Sequence, residues 1–164
     1  MTDEGRGVRE VTTATSAWHI KPGRYLLNTD GGVRNSGHNA PGTVLGEAAI
    51  GIVLCDPSDH EVKTDARLIG LASIQGAEYQ ALIRGLELAR SLGIGKIRAF
   101  LDNQIVVDQI NEEAAVKGAD LKPLYARTCR LLDRFSDCRV YWVPRARNTR
   151  ADGLVHGVLY PNVK

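Results

Sequence analysis

The central segment of the predicted fold is residues 97–109, Ile-Arg-Ala-Phe-Leu-Asp-Asn-Gln-Ile-Val-Val-Asp-Gln. It is typical of a short apolar strand that brings one carboxylate, Asp102, to the point where a helix begins. In an open α/β sheet, ligands and metals collect at the carboxyl ends of the strands. Asp is also a common N-cap residue, so a purely capping role for Asp102 is the competing interpretation.

Seven further elements are predicted around this helix and the strand that precedes it. Apolar periodicity, turn residues and helix caps divide the chain into strands and helices. The strands are expected at 24–30, 47–55, 61–72, 96–101 and 138–143, and the helices at 74–92, 103–110, 121–135 and 149–159. Ser73 is the predicted N-cap of the first helix and Gly93 its stop. The order β-β-β-α-β-α-α-β-α predicts an α/β fold with a mixed five-stranded sheet flanked by helices.

Length and composition indicate one ordinary globular domain. The 164 residues are 43% hydrophobic and 24% charged, and no apolar run approaches the roughly 20 residues of a membrane span, so no membrane partner is expected. Residues 1–20, rich in Thr, Ser, Gly and charge, are predicted to form a flexible N-terminal tail. The three cysteines are odd in number and widely spaced, which argues against a disulfide framework or a zinc site and favours the cytoplasm. No obligate protein partner is evident.

Three more acidic residues are predicted at junctions comparable to that of Asp102. Asp30 ends the first strand, Glu78 opens the first helix, and Asp152 lies in the first turn of the last helix. Each has an ordinary alternative, because Asp before Gly-Gly starts turns and first-turn acids are favoured by the helix dipole. Glu78, however, continues an apolar stripe, and an unpaired charge there would be costly to bury. That stripe contains Leu82, Gly85, Leu86 and Ala89.

If these four carboxylates meet, their mutual repulsion implies bound cations. Hard oxygen ligands without a nearby Cys or His set indicate Mg²⁺, with Mn²⁺ as a second candidate. Two such ions about 4 Å apart are the usual apparatus for hydrolysing a phosphodiester in line. A basic cluster, Arg145, Arg147 and Arg150, precedes Asp152 and suggests a phosphate-bearing ligand, although small clusters are also common on solvated surfaces.

At these positions the chain resembles the ribonuclease H type 1 family, in its short archaeal-like or reverse-transcriptase-like branch. Four motifs occur in the family's order, and each carries the expected acid. They are Thr-Asp-Gly-Gly at 29–32, Ala-Glu-Tyr-Gln-Ala-Leu at 77–82, Leu-Asp-Asn-Gln-Ile-Val-Val at 101–107 and Trp-Val-Pro-Arg-Ala-Arg-Asn-Thr-Arg-Ala-Asp-Gly-Leu at 142–154. The resemblance covers residues 24–159 and implies a ribonuclease H-like catalytic domain over residues 21–164.

The resemblance implies hydrolysis of the RNA strand of an RNA–DNA hybrid with two Mg²⁺ ions. By position, Asp30 would bridge the ions, Glu78 and Asp102 would hold one, and Asp152 the other. Glu78 would also lie close to the 2′-hydroxyl that distinguishes RNA from DNA. The expected nucleic-acid contacts are Asn35, Gln80, Asn103, Arg145, Arg147 and Asn148.

Two features depart from many bacterial members of that family. The loop before the last acid holds Arg145 and Arg147 instead of a His, and we assign the catalytic substitution to Arg145. Only ten residues, 111–120, separate the second and third helices, which leaves no room for an additional basic helix. Arg127, Arg130 and Arg134, or the tail, could compensate, but a solvated helix face explains these arginines equally well.

Other functions stay open at this point. A catalytically weak or inactive ribonuclease H-like module that only binds nucleic acid would keep the same fold. A proofreading-type exonuclease is disfavoured, because its Asp-x-Glu pattern is absent after Asp30. Double-stranded RNA is a further candidate substrate.

Overall fold

The computed structural model describes residues 19–34 and 45–163. Five strands and four α-helices follow in the predicted order: β1 Tyr25–Arg34, β2 Gly46–Cys55, β3 Glu61–Ala72, α1 Ile74–Ser91, β4 Lys96–Leu101, α2 Gln104–Ile110, α3 Leu121–Leu132, β5 Asp137–Trp142 and α4 Thr149–Leu159. The sheet order is β3-β2-β1-β4-β5. β1, β2 and β3 pair antiparallel, whereas β4 runs parallel to both β1 and β5. The predicted mixed five-stranded α/β fold is confirmed.

Helices cover the two faces of the sheet unequally. α1 packs on β1 and β2 on one face, with α3 against α1, whereas α4 packs on β1, β2 and β3 on the other face. Adjacent glycines of β1 show this division, because a Cβ at Gly31 would meet Ala77 of α1 and one at Gly32 would meet Val155 of α4. The main core therefore lies between the sheet and α1.

Strand β1 extends beyond its predicted end. The sequence predicted that Gly31 and Gly32 stop the strand after Asp30, but both glycines pair with β2 and the strand continues to Arg34. A Cβ on Gly31 would lie 2.3 Å from the carbonyl carbon of Ala77. The glycine therefore permits close approach of strand and helix rather than a turn, and Asp30 lies within the strand.

The caps of α1 agree with the prediction, and the end of α3 does not. The Gly76 N–H donates to Ser73 Oγ over 3.0 Å, and Gly93 adopts a φ of +79° just after the helix. α3 ends at Leu132 instead of continuing to residue 135. Phe135 leaves the helix through a tight turn and inserts into the core, where it is 8% exposed.

Parts of two predictions lie outside the described residues. Most of the predicted tail, residues 1–18, is among them, and so are residues 35–44, which include the predicted contact Asn35. The division into a tail and a domain at residue 21 stays a prediction. Within residues 19–34 and 45–163, no helix combines the length and apolarity that a bilayer span requires.

Candidate active site

Three carboxylates from three different elements converge at one edge of the sheet. Asp30 comes from β1, Glu78 from α1, and Asp102 directly follows β4. Each offers one carboxylate oxygen, and these oxygens all lie within 4.8 Å of one another. Asp30 is 2% exposed and Glu78 is 3% exposed, whereas Asp102 is partly open to solvent. Such a cluster of hard oxygen donors offers ligands for a divalent metal ion.

Asp152 stands at the rim of the same site. It projects from the first turn of α4, and its side chain is 43% exposed. It lines, together with the three inner acids, a cleft of about 370 Å³. The four predicted acids therefore share one cleft, with three of them packed closely and Asp152 facing them across the opening.

The protonation of the inner acids reflects burial and repulsion. Burial, and then the charges of Asp102 and Asp152, raise the pKa of Asp30 to about 7. Burial, and then the charges of Asp30 and Asp102, raise the pKa of Glu78 well above its usual range. A cation in the cleft would oppose both effects, because it favours the ionised carboxylates.

Glu78 is not a helix-dipole residue. It is the fifth residue of α1, whose first turn contains no acidic residue, so the first-turn interpretation is wrong. Its Oε2 atom is buried and has no hydrogen-bond partner among the described residues. Burying such an acceptor without a partner is costly. An oxygen of this kind fits a bound cation.

Asp102 does not cap α2. The cap is the next residue, Asn103, whose side-chain oxygen accepts from the Val106 N–H over 3.2 Å. The capping interpretation of Asp102 is therefore wrong, and its carboxylate is left for the cleft. Asn103 also lines the cleft, as expected for a residue that meets a ligand there.

The side chain of Asn148 contacts the Asp102 carboxylate from the interior of the protein. Its amide nitrogen donates to Thr29 O over 2.9 Å and lies 3.4 Å from Asp102 Oδ2, and its Oδ1 accepts from Asn28 Nδ2 over 3.0 Å. Asn148 is 1% exposed, so a direct contact with nucleic acid does not fit its position. Its contacts instead join β1 to the start of α4 and fix the Asp102 carboxylate.

The basic cluster divides into two parts. Arg145 lines the cleft, with its Nη2 4.0 Å from Asp152 Oδ1 and its side chain 78% exposed, and Arg147 is exposed in the same short 3₁₀ turn, Arg145–Arg147. Arg150 points elsewhere and forms a 2.9 Å ion pair with Asp59. Arg145 is thus the described arginine that borders the acids.

Two other polar side chains differ in their relation to the cleft. Gln80 is half-buried on α1 and does not line the described cleft. His156 does line it, one turn after Asp152, with its ring centroid 5.0 Å from that of Tyr160. His156 is not among the predicted site residues. Its spacing of four residues from Asp152, about one helical turn, is the signal that could have placed it near the site.

Comparisons with known proteins agree with this geometry. Residues 39–158 match the family described as reverse transcriptase-like. Ribonuclease HI of Halobacterium salinarum is 37% identical over 114 residues, which are 70% of this chain and 57% of that protein. The crystal structure of RNase H1 from Halobacterium salinarum NRC-1 superposes with a TM-score of 0.77 at 34% identity, covering 85% of this chain and 99% of that one. The chain belongs to the ribonuclease H type 1 family.

Other members of the ribonuclease H type 1 family differ in length and context. The bifunctional protein Rv2228c of Mycobacterium tuberculosis is 34% identical over 137 residues, which are 83% of this chain but 35% of that protein. This chain therefore spans about a third of the length of its curated mycobacterial relatives. LC11-RNase H1, solved in complex with an RNA/DNA hybrid, superposes with a TM-score of 0.74 at 27% identity and covers 86% of this chain and 100% of that one.

Proposed function

We propose that this chain is a metal-dependent endonuclease that hydrolyses the RNA strand of RNA–DNA hybrids. The observation that carries the proposal is the convergence of Asp30, Glu78 and Asp102, whose oxygens lie within 4.8 Å although two of these side chains are nearly buried. Family membership favours this activity over other uses of an acidic cluster. The hybrid seen with LC11-RNase H1 supports the choice of substrate.

The four acids would hold two Mg²⁺ ions, with Mn²⁺ as a second candidate. The donor set fits these ions, because it consists of carboxylate oxygens and includes the unpartnered Glu78 Oε2. Bound ions would act as Lewis acids on the phosphate and stabilise the charge of the attacking and leaving oxygens. Asp30 and Glu78 form the buried floor, Asp102 and Asp152 form the open walls, and Asn148 keeps Asp102 in place.

Arginines at the opening would position the substrate. Arg145 borders the acids and is mostly exposed, so it can bind a phosphate that approaches the cleft. Arg147, in the same turn, would contact the backbone of the hybrid further out. Asn103, at the cleft wall, and Gln80, further along α1, are the proposed contacts to sugar or base edges, and Asn35 would add another.

We also propose a cytoplasmic location. Cys55, Cys129 and Cys138 are all unpaired in the structure. Free thiols are usual in reducing compartments, where disulfides are rare.

Cleavage of an end-labelled RNA–DNA hybrid tests the proposed activity, with matched DNA duplex and double-stranded RNA as controls, in Mg²⁺, in Mn²⁺ and in EDTA. We expect internal cuts confined to the RNA strand of the hybrid, which disappear in EDTA. Cleavage of the double-stranded RNA would widen the substrate class. Binding without cleavage in either metal would overturn the enzymatic proposal and leave a ribonuclease H-like binding module.

A further inference from the structure

Within the described parts of the chain, residues 19–34 and 45–163, no helix covers β4 and β5 on the sheet face on which α4 packs. α4 covers β1, β2 and β3 on that side, but Arg98, Arg139 and Tyr141 are exposed on the outer two strands and Phe100 is half-buried. We call these four residues the β4–β5 face. Side chains alternate along a strand, so the two residues of each strand point to the same side of the sheet.

The β4–β5 face carries two positive charges that form no direct ion pair with a described carboxylate. Arg98 and Arg139 are directly opposite each other in the parallel register. Like charges at opposite positions of neighbouring strands repel each other. Within residues 19–34 and 45–163, neither guanidinium has a carboxylate within the 4.0 Å of a salt bridge, since the nearby Asp137 is bonded to Arg24 over 2.6 Å and interacts with Arg139 only at longer range. The arrangement favours the binding of an anion at this face.

An aromatic pair lies next to these arginines. Phe100 and Tyr141 are also opposite each other, two residues further along each strand, and their rings stack with centroids 5.7 Å apart at 22°. Tyr141 is 38% exposed, so part of its ring is free. Exposed aromatic rings beside arginines are the usual elements of surfaces that bind single-stranded nucleic acid, because unpaired bases stack on the rings and phosphates pair with the cations.

The β4–β5 face leads directly to the acidic cleft. Phe100 is opposite Asn28 of β1, and Asn28 bonds to Asn148, which in turn contacts Asp102. From Arg98 to Asp102 the chain advances four residues, about 13 Å at the rise of a strand. That length corresponds to about four nucleotide rises of about 3.4 Å along a duplex axis. A strand that leaves the cleft along β4 would therefore reach the two arginines within a few nucleotides.

We propose that the β4–β5 face binds single-stranded nucleic acid that continues from a hybrid held at the cleft. A duplex would present phosphates to the arginines but would leave the aromatic pair unused, whereas an unpaired strand engages both. The inference rests on the proposed function, since it takes a nucleic acid as the ligand of the cleft. It adds a preference for hybrids with a single-stranded extension.

Binding of fluorescent hybrids, measured by anisotropy, tests this surface. Blunt hybrids and hybrids with an eight-nucleotide single-stranded extension are compared on Asp102→Asn in EDTA, at several salt concentrations. We expect about tenfold tighter binding of the extended hybrid, the scale of one stacked base. In this background, Arg98→Ala with Arg139→Ala should abolish the difference and reduce the salt slope by about 1.4, because about 0.7 is lost per single-strand phosphate contact.

Matched variants separate a specific surface from general charge. Lys63→Ala with Lys122→Ala removes the same number of positive charges from exposed sites on β3 and α3, and should leave the preference intact. Tyr141→Ala should lose the preference, and Tyr141→Phe should retain it because the ring is kept. Thermal unfolding of every variant verifies that the fold is intact.

Three results would overturn the inference. They are equal affinity for blunt and extended hybrids, an equal effect of the arginine pair and the lysine pair, and a dimer that dissociates when Arg98 and Arg139 are replaced. The last result would assign the surface to a second copy of the chain. Because binding is measured on a variant with an altered acid, in EDTA, these outcomes do not depend on cleavage. Loss of the proposed activity would be seen separately, in the cleavage assay of the wild-type chain.

Discussion

Two nearly buried carboxylates of this protein have opposite surroundings. Asp56, at the turn between β2 and β3, accepts from the backbone N–H groups of Ser58 and His60 and forms a 2.6 Å ion pair with Lys21. The hydrogen bond from Lys21, followed by the backbone bond from His60, lowers the pKa of Asp56 to about 2. Glu78 is buried to a similar degree, yet it faces two other acids and one of its oxygens has no partner.

The difference separates an acid that serves the fold from acids that serve a ligand. Asp56 is satisfied by the chain itself, so its charge stabilises the turn. The two buried cleft acids, Asp30 and Glu78, repel each other and Asp102, and Glu78 Oε2 has no partner among the described residues, so their charges oppose folding until a cation binds. Burial alone does not distinguish the two regions. The identity of the neighbours does.

Removing one cleft charge should have the largest effect on activity. Asp102→Asn is expected to reduce hybrid cleavage by about a thousandfold or more, because it removes a metal ligand. The fold should stay intact or become more stable, because repulsion within the cleft decreases. Cleavage and thermal unfolding are measured on the same preparation. Asp133→Asn, which changes an exposed acid directly after the end of α3, is the matched control. Full activity of Asp102→Asn would remove Asp102 from the mechanism.

Opposite stability effects should follow from neutralising the two buried acids. In EDTA at pH 8, Asp56→Asn is expected to lower Tm by a few degrees, because Lys21 and two backbone N–H groups lose a charged acceptor. Glu78→Gln should raise Tm by a similar amount, because a buried repulsion is removed. Differential scanning calorimetry would measure both shifts. A lower Tm for Glu78→Gln would contradict the assignment of Glu78 to a ligand.

The free energy of unfolding should depend on pH through both the cleft acids and Asp56, in opposite directions. In the metal-free chain Asp30 and Glu78 bind their protons more tightly when folded than when unfolded. Their contribution is therefore fully present below about pH 4. That of Asp30 is lost as pH rises toward 7, and that of Glu78 is lost as pH rises well above the usual range of a glutamate. The expected decrease is at most about 1.4 kcal/mol per pH unit for each group.

Asp56 behaves in the opposite sense, because its lowered pKa adds stability above about pH 4 that is lost as pH falls toward 2. Urea unfolding at several pH values in EDTA would separate the two trends. Saturating Mg²⁺ should flatten the decrease between pH 4 and 7, because bound cations stabilise the ionised acids. A stability that rises through this range in EDTA would show that the cleft acids are already ionised.

The basic side chains near Asp56 and near the cleft should differ in whether they bind nucleic acid. Lys21 is committed to Asp56, whereas Arg145 stays exposed beside the cleft and Arg147 is exposed in the same turn. Arg145→Ala with Arg147→Ala is expected to weaken hybrid binding several-fold and to reduce the salt slope by about 1.8. Lys21→Ala should leave the salt slope unchanged. An unchanged slope in the arginine variant would make this turn ordinary surface.

The order of the elements could be predicted from the sequence because each of them has a local signal. The bounds of β3, β4 and α4 agree with the prediction, and Ser73 caps α1 as expected. The four acids could be brought to one cleft by the topology of the sheet, since β1 and β4 are adjacent and parallel. Local sequence patterns and sheet topology were together sufficient to predict the order of the elements and the meeting of the four acids.

The errors arose where two segments distant in sequence meet. Gly31 was read as a turn residue, and only its contact with Ala77 shows that it permits helix packing. The bond between Asn28 and Asn148 joins residues 120 positions apart, and no local pattern predicts it. Asp102 and Asn103 are both good N-cap residues, so which of them caps α2 depends on contacts with distant segments, such as that of Asn148 with Asp102.

The contact at Gly31 also means that a substitution at this position affects the packing of the core and the geometry of the cleft together. Because any Cβ at this position would collide with the backbone of Ala77, a larger residue must push α1 away from β1 and carry Glu78 away from Asp30. The distance between β1 and α1 thus also sets the distance between Asp30 and Glu78, so the two distances cannot evolve independently. Selection for cleavage would remove substitutions of Gly31 even when the chain still folds. Compensating mutations are expected among the residues that pack α1 against β1.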